Sequence, residues 1–289
     1  MNDGLFVYQK PAFLPKVFYT NSSYEYWGRA ASLTHTSIDA REDAKLLDDV
    51  RIYHFSGSQH LVARFPPEKT LGQQRNNPMD FRWSMRALLV AMDRWAAGMT
   101  EPPPSQYGRI ENSTLVSPEE LDFPALPGMN TAVRIHKAYR ADYGDKFRSD
   151  GIVTKEPPEI GAAFPMRVPA VDADGNEKAG ISLPEHTVPL ATYTGWNLFN
   201  ADSGLTHVLS NPLGSFIAFP RTAVERRRTK DPRASIEERY ESREGYLGLV
   251  VEAALELIEN GYLLGQDLPA MLKQAGDHWD YIMTESTTR

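Results

Sequence analysis

The sequence predicts an α/β fold, and three observations carry that reading. Residues 15–20 and 50–55 are short β-branched and aromatic runs, each closed by turn-forming residues. Some thirty residues separate them, enough for a crossover between parallel strands, which need a dozen or more. The chain then turns to helical spacing after Asn77-Pro78 and returns to it over its last third.

Taken in order, the first run is Pro15-Lys16-Val17-Phe18-Tyr19-Thr20, closed by Asn21-Ser22-Ser23, and the second is Val50-Arg51-Ile52-Tyr53-His54-Phe55, closed by Ser56-Gly57. Pro78 suits a first helical turn, Asp80 suits the helix dipole, and Met85, Leu88, Leu89, Met92 and Trp95 form an apolar stripe ending near Gly98. Glu101-Pro102-Pro103-Pro104-Ser105 breaks the pattern, and residues 110–195 become rich in Pro and Gly with short β-like runs. Residues 168–176 read as a hairpin entering a turn at Asp174-Gly175. Ser235 with Glu238 forms a capping-box signature, and Tyr246, Leu249, Val250, Ala253 and Leu257 keep helical spacing up to Gly261. Asp267 heads a last helix through Leu268, Met271, Leu272, Ala275 and Trp279. The expected organisation is core strands and helices over 1–109, a β-rich insertion or lid-like element over 110–200, and a helical segment over 201–289.

Composition narrows the function. Apolar residues make up 41% and charged residues 24%, ordinary for a globular protein. A net charge of −7 argues against nucleic acid or an anionic membrane as a partner. With no cysteine there is no disulfide, Cys-ligated metal or thiol nucleophile. The first residues hold no basic stretch followed by an apolar one, and no apolar run approaches the ~18–20 residues of a membrane span. A soluble chain is expected, its compartment unassigned and cytoplasmic by default.

In open α/β sheets, ligands sit at the carboxyl ends of the strands. Glu25 follows the first run and His60 the second, so two parallel neighbours would bring both to one rim. A carboxylate beside an imidazole fixes its tautomer and stabilises the imidazolium formed when it accepts a proton. The same two residues also read as a salt-bridged surface glutamate and a capping histidine.

Around this pair lie longer motifs. Asn21-Ser22-Ser23-Tyr24-Glu25-Tyr26-Trp27 precedes Ala31-Ser32-Leu33-Thr34-His35-Thr36. Arg51-Ile52-Tyr53 leads to Gly57-Ser58-Gln59-His60, then to Arg86-Ala87-Leu88-Leu89-Val90-Ala91-Met92-Asp93-Arg94-Trp95. Asp172-Ala173-Asp174-Gly175-Asn176-Glu177, Thr194-Gly195-Trp196-Asn197, Gly214-Ser215 and Asp231-Pro232-Arg233-Ala234-Ser235 follow. Over almost the whole chain these segments resemble the α/β-hydrolase-domain proteins, large bacterial serine-esterase-like proteins. The resemblance implies the C-terminal part of an α/β-hydrolase-like parallel sheet, with a β-rich inserted element and C-terminal helices. It also implies carboxylic-ester chemistry on a small ester-like substrate, with Glu25 and His60 at the acid and base of a Ser–Glu–His triad and no cofactor or metal.

The chain departs from that pattern at the nucleophile. Chain order in such hydrolases is Ser, then acid, then His, with the serine in G-x-S-x-G. The only glycines four apart are Gly261 and Gly265, with no serine between them, and the 24 residues before Glu25 are too few for an elbow and its preceding strands. The expectation is therefore a chain completed by an N-terminal hydrolase half, either in a longer product or as a separate serine-bearing subunit. The rival is a non-catalytic binding or scaffold protein.

Other residues carry two readings each. His35 lines a substrate site or packs in a loop, and Trp196 stacks on substrate or fills core. His54 alternates with core positions of its strand and reads as a buried, satisfied histidine. Asp172, Asp174 and Asn176 are spaced as calcium ligands or as a plain turn. Arg226-Arg227-Arg228 with Lys230 reads as an anion site or a solvated face. Ser58 and Ser215 follow glycines without elbow spacing.

Overall fold

The computed structural model describes residue 10 and residues 13–62, 64–132 and 134–284. The chain is α/β. Strand β1 (Val17–Ser22) lies parallel to β2 (Val50–Phe55), with Val17 opposite Val50 and Ser22 opposite Phe55. β1 therefore starts two residues later than residues 15–20 suggested, because Asn21 and Ser22 stay in register with His54 and Phe55. The crossover holds one short helix, α1 (Ser23–Gly28), a 3₁₀ turn and a loop.

On its far side β2 is flanked by two loop segments. His54 N donates to Gln106 O at 2.8 Å, and Ile181 N donates to His54 O at 2.6 Å. Among the described residues, no strand pairs with the outer edge of β1.

Helix α2 (Arg82–Ala96) begins four residues past Pro78. Asn77 is no helix cap: its buried amide donates to Gly57 O at 2.7 Å and Thr194 O at 3.1 Å, stitching loops together. Asp80 does act at the helix start, accepting from Arg82 N at 3.1 Å. The buried face of α2 is Ser84, Ala87, Leu88 and Trp95, whereas Leu89 is 71% exposed. Packing selects that face: Trp95 stacks on Phe18 of β1 at 5.6 Å, and Leu88 enters a cluster with Tyr53, Phe55, Ile181 and Tyr262.

The middle of the chain is β-rich in short pieces. β3 (Leu115–Val116) pairs antiparallel with β6 (Val168–Pro169), and between them in sequence β4 (Tyr139–Asp142), α3 (Phe147–Asp150) and β5 (Glu159–Ala163) form an exposed hairpin. The expected turn closes at the Val171–Glu177 bridge, with Gly175 at φ +82°. Leu115 and Val168 pack with Tyr26, Trp27 and Trp196, so this segment shares a cluster with α1.

After α4 (Pro184–Thr187), β7 (Ala191–Thr194) and β8 (Ser215–Ala218) form an antiparallel pair under the largest apolar cluster. The C-terminal helices are α5 (Ala223–Thr229), α6 (Ile236–Arg239), α7 (Arg243–Glu259) and α8 (Leu268–Thr284). The Ser235/Glu238 capping box opens only the four-residue α6, and Ser242 caps α7 separately through Gly245 N. Tyr246 and Val250 of α7 meet Met271, Ala275 and Trp279 of α8 over Tyr193 and Phe216. Among the described residues, no helix is long and apolar enough to cross a membrane.

Candidate active site

Parallel pairing of β1 and β2 delivers the following segments, α1 and the turn 56–60, to the same rim. Ser22 and Glu25 form the capping box of α1: Glu25 Oε2 accepts from Ser22 N at 2.6 Å and from the Ser22 hydroxyl. That bond leaves Oε1 free to point outward, and His60 Nδ1 meets it in hydrogen-bond contact. The backbone of His60 is anchored separately, its N–H donating to Pro212 O at 3.0 Å. The ring of Tyr24 stands 5.9 Å from that of His60. The His60 side chain is 51% exposed and that of Glu25 16%, so the pair lies at the surface with the carboxylate as its sheltered member.

An imidazole whose Nδ1–H is given to a carboxylate presents the Nε2 lone pair as a base. Among the described residues, no hydroxyl is hydrogen-bonded to His60 Nε2. Ser58 and Ser215 are buried and spend their hydroxyls on Phe55 O and Trp196 O, both at 2.7 Å.

Beneath this pair lies a buried polar cluster. Glu177 Oε1 accepts from Ser23 Oγ at 2.6 Å, and its Oε2 accepts from Gly57 N at 2.6 Å and stands 3.1 Å from His54 Nε2. Burial works to raise the Glu177 pKa. The charge of His54 and hydrogen bonds from His54, Gly57 and Ser23 outweigh it and hold the carboxyl below the usual range.

The comparison with protein families matches residues 9–273 to the family described as Alpha/beta hydrolase domain. The chain belongs to that family. No curated protein and no solved structure matches it. An α/β-hydrolase-domain framework fits the rim geometry above, since in open α/β sheets the loops beyond the strand ends carry the chemistry.

Of the residues singled out in the sequence, Glu25 and His60 are brought together. His35 and Trp196 are not brought to them. His35 is fully buried, its Nε2 2.9 Å from the Tyr26 hydroxyl, and burial lowers its pKa to about 4. Trp196 is 3% exposed between Trp27 and Phe123. In this α/β-hydrolase-domain chain the 172–176 turn spreads its polar groups apart. Asp172 Oδ1 accepts from Asp174 N and Asn176 N, Asp174 pairs with Arg239 at 2.5 Å, and Asn176 bonds β7. Arg226 pairs with Glu238 on the surface. Sequence reasoning passed over Glu177 as a functional residue. The available signal was the last of three acids in the turn motif 172–177, and nothing local ties it to Ser23, 154 positions away.

Proposed function

We propose that this chain supplies the acid and base of a Ser–Glu–His triad to a carboxylic-ester-type hydrolase acting on a small ester-like substrate. His60 is the general base, Glu25 holds its tautomer and stabilises the imidazolium, and the serine comes from an N-terminal hydrolase half or a separate serine-bearing chain. The observation that carries the reading is the Glu25–His60 contact at the carboxyl ends of two parallel strands. Acid before histidine in the chain is the order of such hydrolases. Among the described residues no strand pairs with the outer edge of β1, and such an edge can take a further strand beside it, which supports the reading. In the completed site, Nε2 of His60 takes the serine proton as the hydroxyl attacks the acyl carbon. It returns that proton to the leaving alcohol, and backbone N–H groups of the completing half stabilise the oxyanion.

A serine-directed phosphonate tests this. The chain by itself stays unlabelled, whereas co-expression with the product of the adjacent upstream reading frame gives labelling on that product's serine and ester turnover that His60→Ala abolishes. Stoichiometric labelling of a serine within this chain, or turnover indifferent to His60→Ala, overturns the reading. A co-expressed pair that shows neither labelling nor turnover overturns it in favour of a non-catalytic binding role.

A further inference from the structure

We infer that Glu177 is a positioning residue that sets the Glu25–His60 geometry from below, by clamping the two segments that carry those side chains. This inference rests on the triad reading above and assigns no contact between Glu177 and substrate.

The two segments leave the β1–β2 ladder at Ser22 and Phe55 and meet again at the Glu25–His60 contact. Glu25 is fixed two residues into α1 from Ser23, and His60 lies three residues beyond Gly57. Glu177 holds one carboxylate oxygen on each: Oε1 on Ser23 Oγ and Oε2 on Gly57 N, both at 2.6 Å. A longer backbone bond, Tyr24 N to Ser58 O at 3.4 Å, and the Tyr24–His60 ring contact at 5.9 Å also join them. Charge-assisted hydrogen bonds are about twice as strong as neutral ones, and the low dielectric of a buried site strengthens them further.

The clamp is built to allow no slack. Ser23 Oγ also accepts from Gly195 N at 3.3 Å, and a Cβ at Gly195 would stand 2.3 Å from Tyr24 N, so the Gly195 backbone lies directly against the first turn of α1. Gly57 has φ +65° and its Cβ would press on the His186 ring at 2.9 Å, so that turn is likewise held at a close approach. Glu177 itself is fixed by its bridge to Val171 around the 172–176 turn. His54, on β2 beneath, gives its carboxylate a third neighbour and compensates its burial. Glu177 thus couples the middle β-rich segment to the rim chemistry. The rim acid and base are held from a third part of the chain, which neither of their own segments contacts in sequence.

The test reads His60 directly and needs no turnover. Long-range proton–nitrogen correlation of the ring nitrogens is recorded on the full chain at about pH 8, where an ordinary histidine is neutral. Wild type shows His60 as the Nδ1–H tautomer, the form Glu25 selects. A folded Glu177→Gln chain loses that signature, His60 reverting to the Nε2–H-dominated mixture of a free imidazole. Ser23→Ala, which cuts one arm while leaving the buried carboxylate in place, moves His60 in the same direction and serves if Glu177→Gln does not fold. An unchanged His60 spectrum in a folded variant overturns the positioning role. A wild-type His60 without the Nδ1–H tautomer overturns the Glu25–His60 pairing itself, and with it the triad reading.

Discussion

Asp231 and Arg233 form a buried fork, with Arg233 Nε on Asp231 Oδ1 at 2.9 Å and Nη2 on Oδ2 at 2.6 Å. The same guanidinium donates to Thr192 Oγ1 at 2.8 Å, Ile217 O at 2.9 Å and Ala218 O at 3.2 Å, so one side chain ties β7 to β8. Removing it strips the fork from a buried carboxylate, which keeps only the backbone N–H of residue 233 at 2.9 Å, and takes one donor from each of three further acceptors. Arg233→Ala is expected to cost about 3–5 kcal/mol, measured by urea unfolding. Arg233→Lys restores little, because an ammonium lacks the planar fork. A loss near zero for Arg233→Ala would show that the fork contributes nothing net.

Glu25 both caps α1 and faces His60, and Glu25→Gln separates the two roles. Glutamine serves as well as glutamate in a capping box, so stability changes by less than about 1 kcal/mol. The charge that stabilises an imidazolium is lost, and turnover of the completed hydrolase should fall on the order of 10⁴-fold. Equal turnover of wild type and variant would leave Glu25 with capping alone.

Gly195 admits no side chain. A Cβ there meets Tyr24 N at 2.3 Å and the Ser23 carbonyl carbon at 2.6 Å, both backbone atoms that move only with α1. Gly195→Ala is expected to destabilise by about 1–3 kcal/mol and to displace His60 from Glu25, seen as changed amide shifts across residues 22–28 and 57–60. Unchanged shifts there would mean that α1 is held elsewhere.

The acid limb of stability should belong to buried histidines. Burial lowers the pKa of His278, packed 4.5 Å from the Phe65 ring, to about 4. The unfolded chain binds its proton near 6.5, so between the two values the unfolded state holds more protons. The contribution is full above about pH 6.5 and is lost as pH falls towards 4. His35 and His186, also lowered to about 4 chiefly by burial, act in the same sense. Glu185 acts oppositely: burial raises its carboxyl to about 7, so its contribution is lost as pH rises through that value. Urea unfolding of His278→Leu from pH 4 to 8 should give an acid slope shallower by up to about 1.4 kcal/mol per pH unit. Glu185→Gln should gain stability at pH 8 relative to pH 5, and a parallel curve in either variant contradicts its assignment.

Much of the fold was legible because it is locally encoded. β-branched runs with turn residues behind them became β1 and β2, and Gly261 with φ +81° ends α7 where the pattern stops. The face of α2 was not legible. Met85 and Leu89 are as apolar as Leu88, and only the positions of Phe18, Tyr53 and Tyr262 decide which of them is buried. Ser235 and Glu238 announced a helix start correctly, but its length depends on Ser242 opening a new one.

The sequence by itself determined that Glu25 and His60 follow two strands in the acid-then-histidine order, since chain order and strand ends are properties of local segments. Their contact required the parallel register of β1 on β2, a long-range pairing that no local pattern specifies. Glu177 was decided wholly by tertiary structure. Its partners lie 154 and 120 residues away, and a buried carboxylate finds them only once the chain has closed around it.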